Sequence, residues 1–517
     1  MIKQVTRYLA AYNFISCFKP DLCNKYFIYS GYIDTMHYGN VEIELFFKKD
    51  ILTFPIAIIG EKSKSFFKAY HFPHMSITSL GLDICYHDNS IVFDTTNIQG
   101  SIKFVMDSLK QTLNTVHEDD MEEIIPEFKS YWDGVKTYFC NFEQDIPAYA
   151  LIEGNWLKET KIYNENCIPI FEIESIPNIK GINWPPETRD DIIKWIKDEK
   201  ISKEIKRKAN LLLDTTIVFY SQKEQLFFGI QFLYKKEIKA IRHKAEAQRK
   251  TFLDKYNTVR FWVDNVTRKQ ILQSNIKASF PDLSNYDIAL VGGGTIGSNL
   301  LQHLVRLGAG NTVNHKIAII DNDIFMPENY SRHILSFSTF GKNKAIELRN
   351  NILSSNPLIN IESFSHSITE YTLDTINIII DTTGEENVTD YINRKYKSLD
   401  NKTVLIISWI RTDGKEVNCL IIPNTKAPCH ECFKYTNFYF RKDIPENFPR
   451  RNSCSSVYVP FPIIVSQQAA LLTCRVLLDY INNKIENTMF YTQDIESGLI
   501  SYNKIEPYED CPICSEN

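Results

Sequence analysis

Four of the twelve cysteines occur as two C-x-x-C pairs, a spacing that suits metal ligation. Cys429 and Cys432 form the first pair, and Cys511 and Cys514, close to the C-terminus, form the second. Four thiolates in two such turns hold Zn²⁺ in a closed tetrahedral site and tie the end of the chain back to a sheet. Packed free thiols are the alternative, and a redox pair is a third interpretation. The pattern predicts a structural zinc site.

Two further cysteines stand in settings that suit nucleophilic chemistry. Cys454 lies in a polar loop after Arg450 and Arg451, whose positive charge can stabilise the reactive thiolate. Cys85 follows a turn glycine in the stretch GLDICYHDNS, and this stretch alone fits a nucleophile, a metal ligand or a packed thiol. Cys474 stands in an apolar helical pattern and is predicted to be a core residue.

A glycine-rich segment, YDIALVGGGTIGSNLLQHLV, is suited to binding the phosphates of a nucleotide. Its pattern predicts a buried strand, a turn with Gly292, Gly294 and Gly297, and a helix. Glycine permits a tight turn and a close approach of phosphate, and the N–H groups at the helix start favour an anion. The next strand ends in Asp321, and an acid there can bind ribose hydroxyls in NAD or ATP sites. A purely structural turn is the alternative.

The residues that follow distinguish the two nucleotides. Asn329, Arg332 and Lys344 lie on a segment that can return to the phosphate end of the site. Hydride transfer has no need of this positive charge. Attack of a carboxylate on an α-phosphate does need it, because negative charge accumulates on the phosphoryl oxygens. The segment therefore favours ATP.

Residues 286–517 resemble the adenylation domain of the ThiF, MoeB and ubiquitin-activating enzyme superfamily, whose pattern is G-x-G-x-x-G, D-x-D, N-x-x-R and a downstream lysine. The resemblance implies ATP with Mg²⁺ as cofactors. It implies that Asp321 binds the ribose, while the glycine loop and the three polar residues after it contact the phosphates. It also implies zinc at the two cysteine pairs, and an acyl group passed from the adenylate to Cys454.

The sequence departs from this superfamily where an acid is expected to place Mg²⁺. The usual aspartate–asparagine pair is replaced by DTTGEENV, with Gly384 at about the position of the second acid. Asp381, at the end of the preceding strand, is the first choice for the metal-facing carboxylate, and Glu385 or Glu386 is the alternative. A strand-end aspartate that caps the next helix would be purely structural.

Residues 1–150 resemble a divergent ubiquitin-conjugating enzyme. The alternating runs YFIYSGYID, NVEIELFF and LTFPIAII predict an antiparallel meander, and HFPHMSITSLGLDICYHD follows it. The resemblance implies that Cys85 is a catalytic thiol. The usual H-P-N tripeptide is absent, and His74 would support the oxyanion in place of the asparagine. A buried structural histidine is the alternative.

These segments predict three domains: a ubiquitin-conjugating-like α+β domain (1–150), a mixed linker domain (151–275) and an α/β, Rossmann-like ThiF-type domain (276–517). The linker domain would take the place of an inactive adenylation-like unit.

The order of the domains resembles that of fused proteins of bacterial antiphage (CBASS) operons, which attach the C-terminus of a cGAS/DncV-like nucleotidyltransferase to a target. This implies a protein substrate with an exposed C-terminus, either such a nucleotidyltransferase or a ubiquitin-like protein. It also implies a thioester relay from Cys454 to Cys85, and a homodimer.

Two other functions fit parts of the sequence. The chain could activate a sulfur-carrier protein, in which case residues 1–275 would form a binding module and Cys85 would be structural. It could also be a non-catalytic nucleotide-binding scaffold, an interpretation that the altered DTTGEENV segment favours.

Composition narrows the possible partners. The 517 residues include 58 Lys and Arg against 63 Asp and Glu, so a net charge of −5 gives no overall attraction to nucleic acid or anionic membranes. No apolar run approaches the roughly 18–20 residues that span a bilayer, and the first residues lack the pattern of a secretory signal. We expect a cytoplasmic protein that binds neither membranes nor nucleic acid directly.

Overall fold

The computed structural model divides into two compact units, residues 1–267 and 268–517. The residues that it describes are 1–140, 149–151, 167–234, 256–271, 280–439 and 461–515, without 69, 89, 133, 136, 211–212, 268–269, 400–401 and 412–413.

The first unit begins with α1 (Ile2–Ala10) and a six-stranded antiparallel sheet in the order β1-β2-β3-β4-β6-β5. Alternating apolar residues of β2 and β3 bury one face of the sheet, as the strand patterns predict. α2 (Ile98–Thr115) buries apolar residues at helical spacing in the same core, and the Asn97 side chain caps its start. The strands are β1 (Ile15–Cys17), β2 (Tyr26–Thr35), β3 (Gly39–Lys48), β4 (Ile56–Ile59), β5 (Met75–Thr78) and β6 (Gly81–Ile84).

Two short helices, α3 (Met121–Ile124) and α4 (Phe128–Trp132), lead into a closed six-stranded barrel in the order β10-β11-β12-β7-β8-β9. The barrel takes strands from both sides of residue 150, and four of its six strand pairings are antiparallel. It therefore differs from the parallel, open sheet expected of an adenylation-like linker. Its elements are β7 (Thr137–Cys140), β8 (Tyr149–Leu151), β9 (Cys167–Ile173), α5 (Arg189–Ile196), α6 (Glu199–Asn210), β10 (Thr215–Ser221), β11 (Leu226–Tyr234) and β12 (Tyr256–Asn265).

The second unit is built on an eight-stranded sheet in the order β15-β14-β13-β16-β17-β18-β19-β20. The first five strands are parallel and the last three antiparallel, and the inner strands are runs of Ile, Leu, Val and Ala because both of their faces are buried. The predicted α/β, Rossmann-like architecture is confirmed. The strands are β13 (Ile288–Val291), β14 (Ile317–Ile320), β15 (Ile361–Phe364), β16 (Ile378–Asp381), β17 (Val404–Arg411), β18 (Glu416–Ile422), β19 (Met489–Asp494) and β20 (Ile500–Lys504).

Helices cover the sheet of the second unit. The apolar helix α11 (Ile463–Ile481) packs with α7 (Thr295–Arg306) in one continuous core, and Cys474 is buried in it, as predicted. None of the helices in the described part of the chain is both long and apolar enough to cross a membrane. The helices are α7 (Thr295–Arg306), α8 (Lys344–Ser355), α9 (Glu386–Lys397), α10 (His430–Lys434) and α11 (Ile463–Ile481).

Candidate active sites

The second unit has a cavity of about 560 Å³ at the carboxyl ends of β13, β14 and β16. The parallel strands run outward from β13, with β14 and β15 on one side and β16 and β17 on the other. Open α/β sheets bind their ligands at such a switch point. Six residues predicted to bind the nucleotide line this cavity: Gly292, Gly294, Asp321, Asn329, Arg332 and Lys344.

The glycine loop makes a tight turn between β13 and α7. Gly292 has a φ of +89°, and a Cβ there would lie 2.9 Å from the Thr383 nitrogen. A Cβ at Gly297 would lie 1.9 Å from the Gly292 carbonyl oxygen, so Gly297 permits close helix–strand packing and does not line the cavity. Gly294, which precedes α7, faces open space. The loop therefore leaves room for a phosphate at the start of the helix.

Asp321 lies at the end of β14 and is tied to the glycine loop. Its carboxylate accepts hydrogen bonds from the backbone N–H groups of Gly293 (2.6 Å) and Asp323 (2.7 Å). Burial raises the pKa of the Asp321 carboxyl, and the positive charge of Lys344 acts in the opposite direction. The Lys344 Nζ lies 2.9 Å from the Asp323 Oδ2, and a phosphate at this end of the cavity would compete for that ammonium group.

Arg332 and His333 connect the glycine loop to the segment before α11. The Arg332 guanidinium lies over the Phe461 ring, 4.2 Å from its centroid, and the Arg332 carbonyl accepts a hydrogen bond from the Thr295 hydroxyl. The His333 Nε2 lies 2.6 Å from the Gly293 carbonyl oxygen. Burial lowers the pKa of His333 to about 4, so the neutral ring donates its proton to this carbonyl. Sequence reasoning missed His333 and Phe461, because neither belongs to the superfamily pattern.

The acids considered for Mg²⁺ have different surroundings. Asp381, the first choice, is buried and does not line the cavity, and one of its oxygens accepts a hydrogen bond of 2.5 Å from the Thr389 hydroxyl. The Glu386 carboxylate accepts a 2.5 Å hydrogen bond from the Tyr439 hydroxyl. Glu385 and Asp323 do line the cavity. Asp321 also lines the cavity but is bonded to the glycine loop, so Asp323 and Glu385 are the carboxylates that fit the oxygen ligands Mg²⁺ prefers.

The two C-x-x-C pairs come together beside α10. The Sγ atoms of Cys429 and Cys511 are 3.7 Å apart, as are those of Cys432 and Cys514, and all four lie within 4.8 Å of one another. A tetrahedral site with Zn–S bonds of about 2.3 Å has sulfur–sulfur separations of about 3.8 Å. The four thiols therefore fit a zinc ion. Cys454 lies outside the described residues.

Cys85 stands directly after β6 in the first unit and is exposed. Its N–H donates a 2.7 Å hydrogen bond to the His74 carbonyl oxygen, which extends the pairing of β5 with β6. Partial burial of the sulfur, with the negative charge of Glu127 and Asp83, raises the pKa of the Cys85 thiol. The site therefore keeps this thiol protonated, and a thiolate of high pKa is a slow leaving group.

His74 is held by two residues that sequence reasoning did not identify, Glu127 and Tyr131. The His74 Nδ1 lies 2.9 Å from one Glu127 oxygen, and the Tyr131 hydroxyl donates to the other at 2.7 Å. The hydrogen bond to Glu127 raises the pKa of His74 and lowers that of Glu127, which favours an imidazolium–carboxylate pair. His74 is half-buried, and its carboxylate partner comes from a distant part of the sequence.

Parts of both units match models of known protein families. Residues 266–513 match the model of the ThiF family, and residues 23–140 match prokaryotic E2 family B. The chain is 27% identical over 487 residues to the ATP-dependent ubiquitin transferase-like protein Cap2 of Pseudomonas aeruginosa, covering 85% of this chain and 87% of that protein. The Cap2 protein of Escherichia coli is 25% identical, and 92% of each chain is covered. The chain is also similar to a crystal structure of E. coli MccB with MccA-N7isoASN. The superposed parts cover 45% of this chain and 67% of the MccB chain, with 19% sequence identity and a TM-score of 0.36.

Proposed function

Since the chain combines a ThiF-family domain with a domain of prokaryotic E2 family B, we propose that it activates the C-terminal carboxylate of a protein with ATP and transfers the acyl group to an amine. The main support for the activation step is the lining of the cavity. The glycine loop, Asp321, Asn329, Arg332 and Lys344 line one cavity at the switch point of the sheet.

In the activation step, a carboxylate oxygen of the substrate attacks the α-phosphorus of ATP, an acyl-adenylate forms and pyrophosphate leaves. Arg332 and Lys344 stabilise the negative charge that grows on the phosphoryl oxygens. Asp321 orients the ribose. Asp323 and Glu385 would hold Mg²⁺, which neutralises phosphate charge when it is bound.

The acyl group then passes through two thioesters. The sulfur of Cys454 attacks the acyl-adenylate and AMP leaves. The Cys85 thiol loses its proton to water as its sulfur attacks the carbonyl carbon of the Cys454 thioester, and the Cys454 thiolate, which Arg450 and Arg451 would stabilise, leaves. An amine finally attacks the Cys85 thioester, while His74 supports the oxyanion. The match of residues 23–140 to prokaryotic E2 family B supports this second half.

The similarity to Cap2 proteins along most of the chain supports a role in bacterial antiphage (CBASS) defence. We propose a cGAS/DncV-like nucleotidyltransferase as the protein substrate, with a cytoplasmic homodimer as the working form. The E2 family match also makes a sulfur-carrier adenylyltransferase the weaker candidate, because that reaction requires no conjugating domain.

ATP–pyrophosphate exchange in the presence of the nucleotidyltransferase tests the activation step. Exchange should depend on an intact substrate C-terminus, so a substrate shortened by its last residues is the matched control. Equal exchange with both substrates, or none with either, would contradict the proposed function.

A further inference from the structure

The conjugating site of the first unit contains a closed ring of three hydrogen bonds around His74. The His74 backbone N–H donates to the Tyr131 hydroxyl at 2.6 Å, and this hydroxyl donates to the Glu127 Oε2 at 2.7 Å. The Glu127 Oε1 lies 2.9 Å from the His74 Nδ1, which closes the ring. Tyr131 and Glu127 therefore hold both the backbone and the side chain of one residue.

The backbone of His74 needs such support. Its φ is +60°, a left-handed conformation that residues other than glycine adopt only at a cost in free energy. The bond from its N–H to Tyr131 and the bond from the Cys85 N–H to its carbonyl oxygen fix the peptide groups on either side. Strained residues of this kind persist where the surrounding structure determines them, and they concentrate at functional sites.

The ring also decides which imidazole nitrogen is free. Nδ1 is engaged by Glu127, so the Nε2–H remains for a second partner. The Glu123 carboxylate on α3 lies 3.7 Å from Nε2, within ion-pair distance but beyond hydrogen-bond distance. His74 therefore presents an Nε2–H donor, and its backbone carbonyl oxygen accepts a hydrogen bond from the Cys85 N–H.

Glu127 and Tyr131 are themselves anchored in the barrel of the same unit. They flank Phe128, and Phe128 and Trp132 of α4 stack on each other at 5.8 Å, with Trp195 stacked on Trp132 at 5.8 Å. All three aromatic side chains are buried. The barrel core thus fixes α4, and α4 fixes the ring around His74.

We infer that Glu127 and Tyr131 are positioning residues of the conjugating site, which hold His74 so that its Nε2–H stabilises the oxyanion formed when an amine attacks the Cys85 thioester. The inference rests on the proposed function, because it takes Cys85 as the acyl carrier. The amine nitrogen bonds to the carbonyl carbon, and the carbonyl oxygen becomes the oxyanion. The carbon–sulfur bond then breaks, its electron pair leaves on the Cys85 sulfur, and the amine loses a proton to water.

The charged groups around His74 set the expected pH dependence. Glu123 faces it from α3, Tyr131 from α4 and Glu127 from the turn between them. Cys85, at the end of β6, donates its backbone N–H to the His74 carbonyl oxygen. The Glu127 carboxylate favours the imidazolium, which is the form with the free Nε2–H. Discharge should therefore decline as the pH rises through the raised pKa of His74, and loss of the Glu127 charge should move this decline to lower pH.

Single-turnover discharge of the full-length enzyme tests the inference. The Cys85 thioester is formed with ATP, Mg²⁺ and the nucleotidyltransferase, activation is stopped by a chelator, and hydroxylamine is added across a pH series. Glu127→Gln keeps the shape of the side chain. It should load Cys85 normally, discharge about 10²-fold more slowly, as expected for a misplaced oxyanion donor, and decline at lower pH. Tyr131→Phe should slow discharge about tenfold.

Glu122→Gln, on an exposed neighbour in α3, is the matched control and should behave as wild type. Discharge of the Glu127→Gln and Tyr131→Phe thioesters at the wild-type rate, with the wild-type pH profile, would overturn the inference. Absence of any Cys85 thioester in the wild-type enzyme would instead overturn the proposed function, and the inference with it.

Discussion

The nucleotide cavity of the second unit and the Cys85 site of the first unit differ in the charges proposed to act on the reacting atoms. Arg332 and Lys344 bring positive charge to the cavity, whereas Glu127 and Asp83 bring negative charge to the Cys85 sulfur. Cations suit a step in which negative charge grows on phosphate oxygens. Burial and these carboxylates raise the pKa of Cys85, which suits a thiol that must carry an acyl group without losing it early.

The second unit, unlike the Cys85 site, contains a candidate zinc site, and loss of this metal is the largest effect that we predict. The second unit brings four thiols to zinc-binding distances. Structural zinc contributes about 10–16 kcal/mol of apparent binding free energy at neutral pH in small domains, and this is folding free energy. Cys432→Ser should therefore lose the metal and destabilise the second unit.

Elemental analysis and scanning calorimetry measure this effect. Wild type should hold one zinc per chain, and Cys432→Ser should lower one thermal transition. Cys17→Ser, at a half-buried thiol in β1, is the control and should change neither property. A metal-replete wild-type protein without zinc would contradict the assignment.

The next effect concerns the positive charge of the cavity. Arg332→Ala should slow ATP–pyrophosphate exchange by about 10²–10³-fold, the loss typical of one donor at an electrostatically stabilised site. Arg306→Ala, at the exposed end of α7, removes the same charge outside the cavity and should leave exchange unchanged. Exchange at the wild-type rate in a folded Arg332→Ala protein would remove Arg332 from the site.

A smaller effect tests whether the neutral His333 ring supports the glycine loop. Its pKa is about 4 in the folded protein against about 6.5 when unfolded, so the unfolded chain binds the extra proton between these values. The stabilisation is fully present above pH 6.5 and is lost as the pH falls toward 4, by at most about 3 kcal/mol. Urea unfolding of the second unit at pH 7 and pH 5 should show this loss in wild type and a weaker one in His333→Gln. Identical losses in the two proteins would contradict the account.

Sequence predicted the second unit in detail because its signals are local. The three glycines, Asp321 and the N-x-x-R segment follow one another along successive elements, and parallel strands bring their carboxyl ends to one edge. The prediction was weaker for the metal-facing acid. Asp381 was the first choice from its place at a strand end, but burial and its bond to Thr389 keep it out of the cavity lining, where Glu385 is found.

The first unit was harder to predict because its site is assembled from distant segments. Glu127 and Tyr131 meet His74 across 53 and 57 positions of sequence, and neither carries a motif. Two strands of the barrel, β10 and β11, are rich in aromatic and β-branched residues. Its closure depends on long-range pairings, such as β12 with β7, that no local pattern encodes.

The relay itself, transfer of the acyl group from Cys454 to Cys85, can be tested directly. Cys85→Ala and Cys454→Ala proteins, incubated with ATP, Mg²⁺ and the nucleotidyltransferase, can be compared by peptide mapping and mass spectrometry of thioesters that a reducing agent releases. If the relay operates, Cys85→Ala accumulates a thioester on Cys454 and forms no conjugate, while Cys454→Ala forms adenylate and leaves Cys85 unloaded. Conjugation at the wild-type rate by a folded Cys85→Ala protein would contradict it.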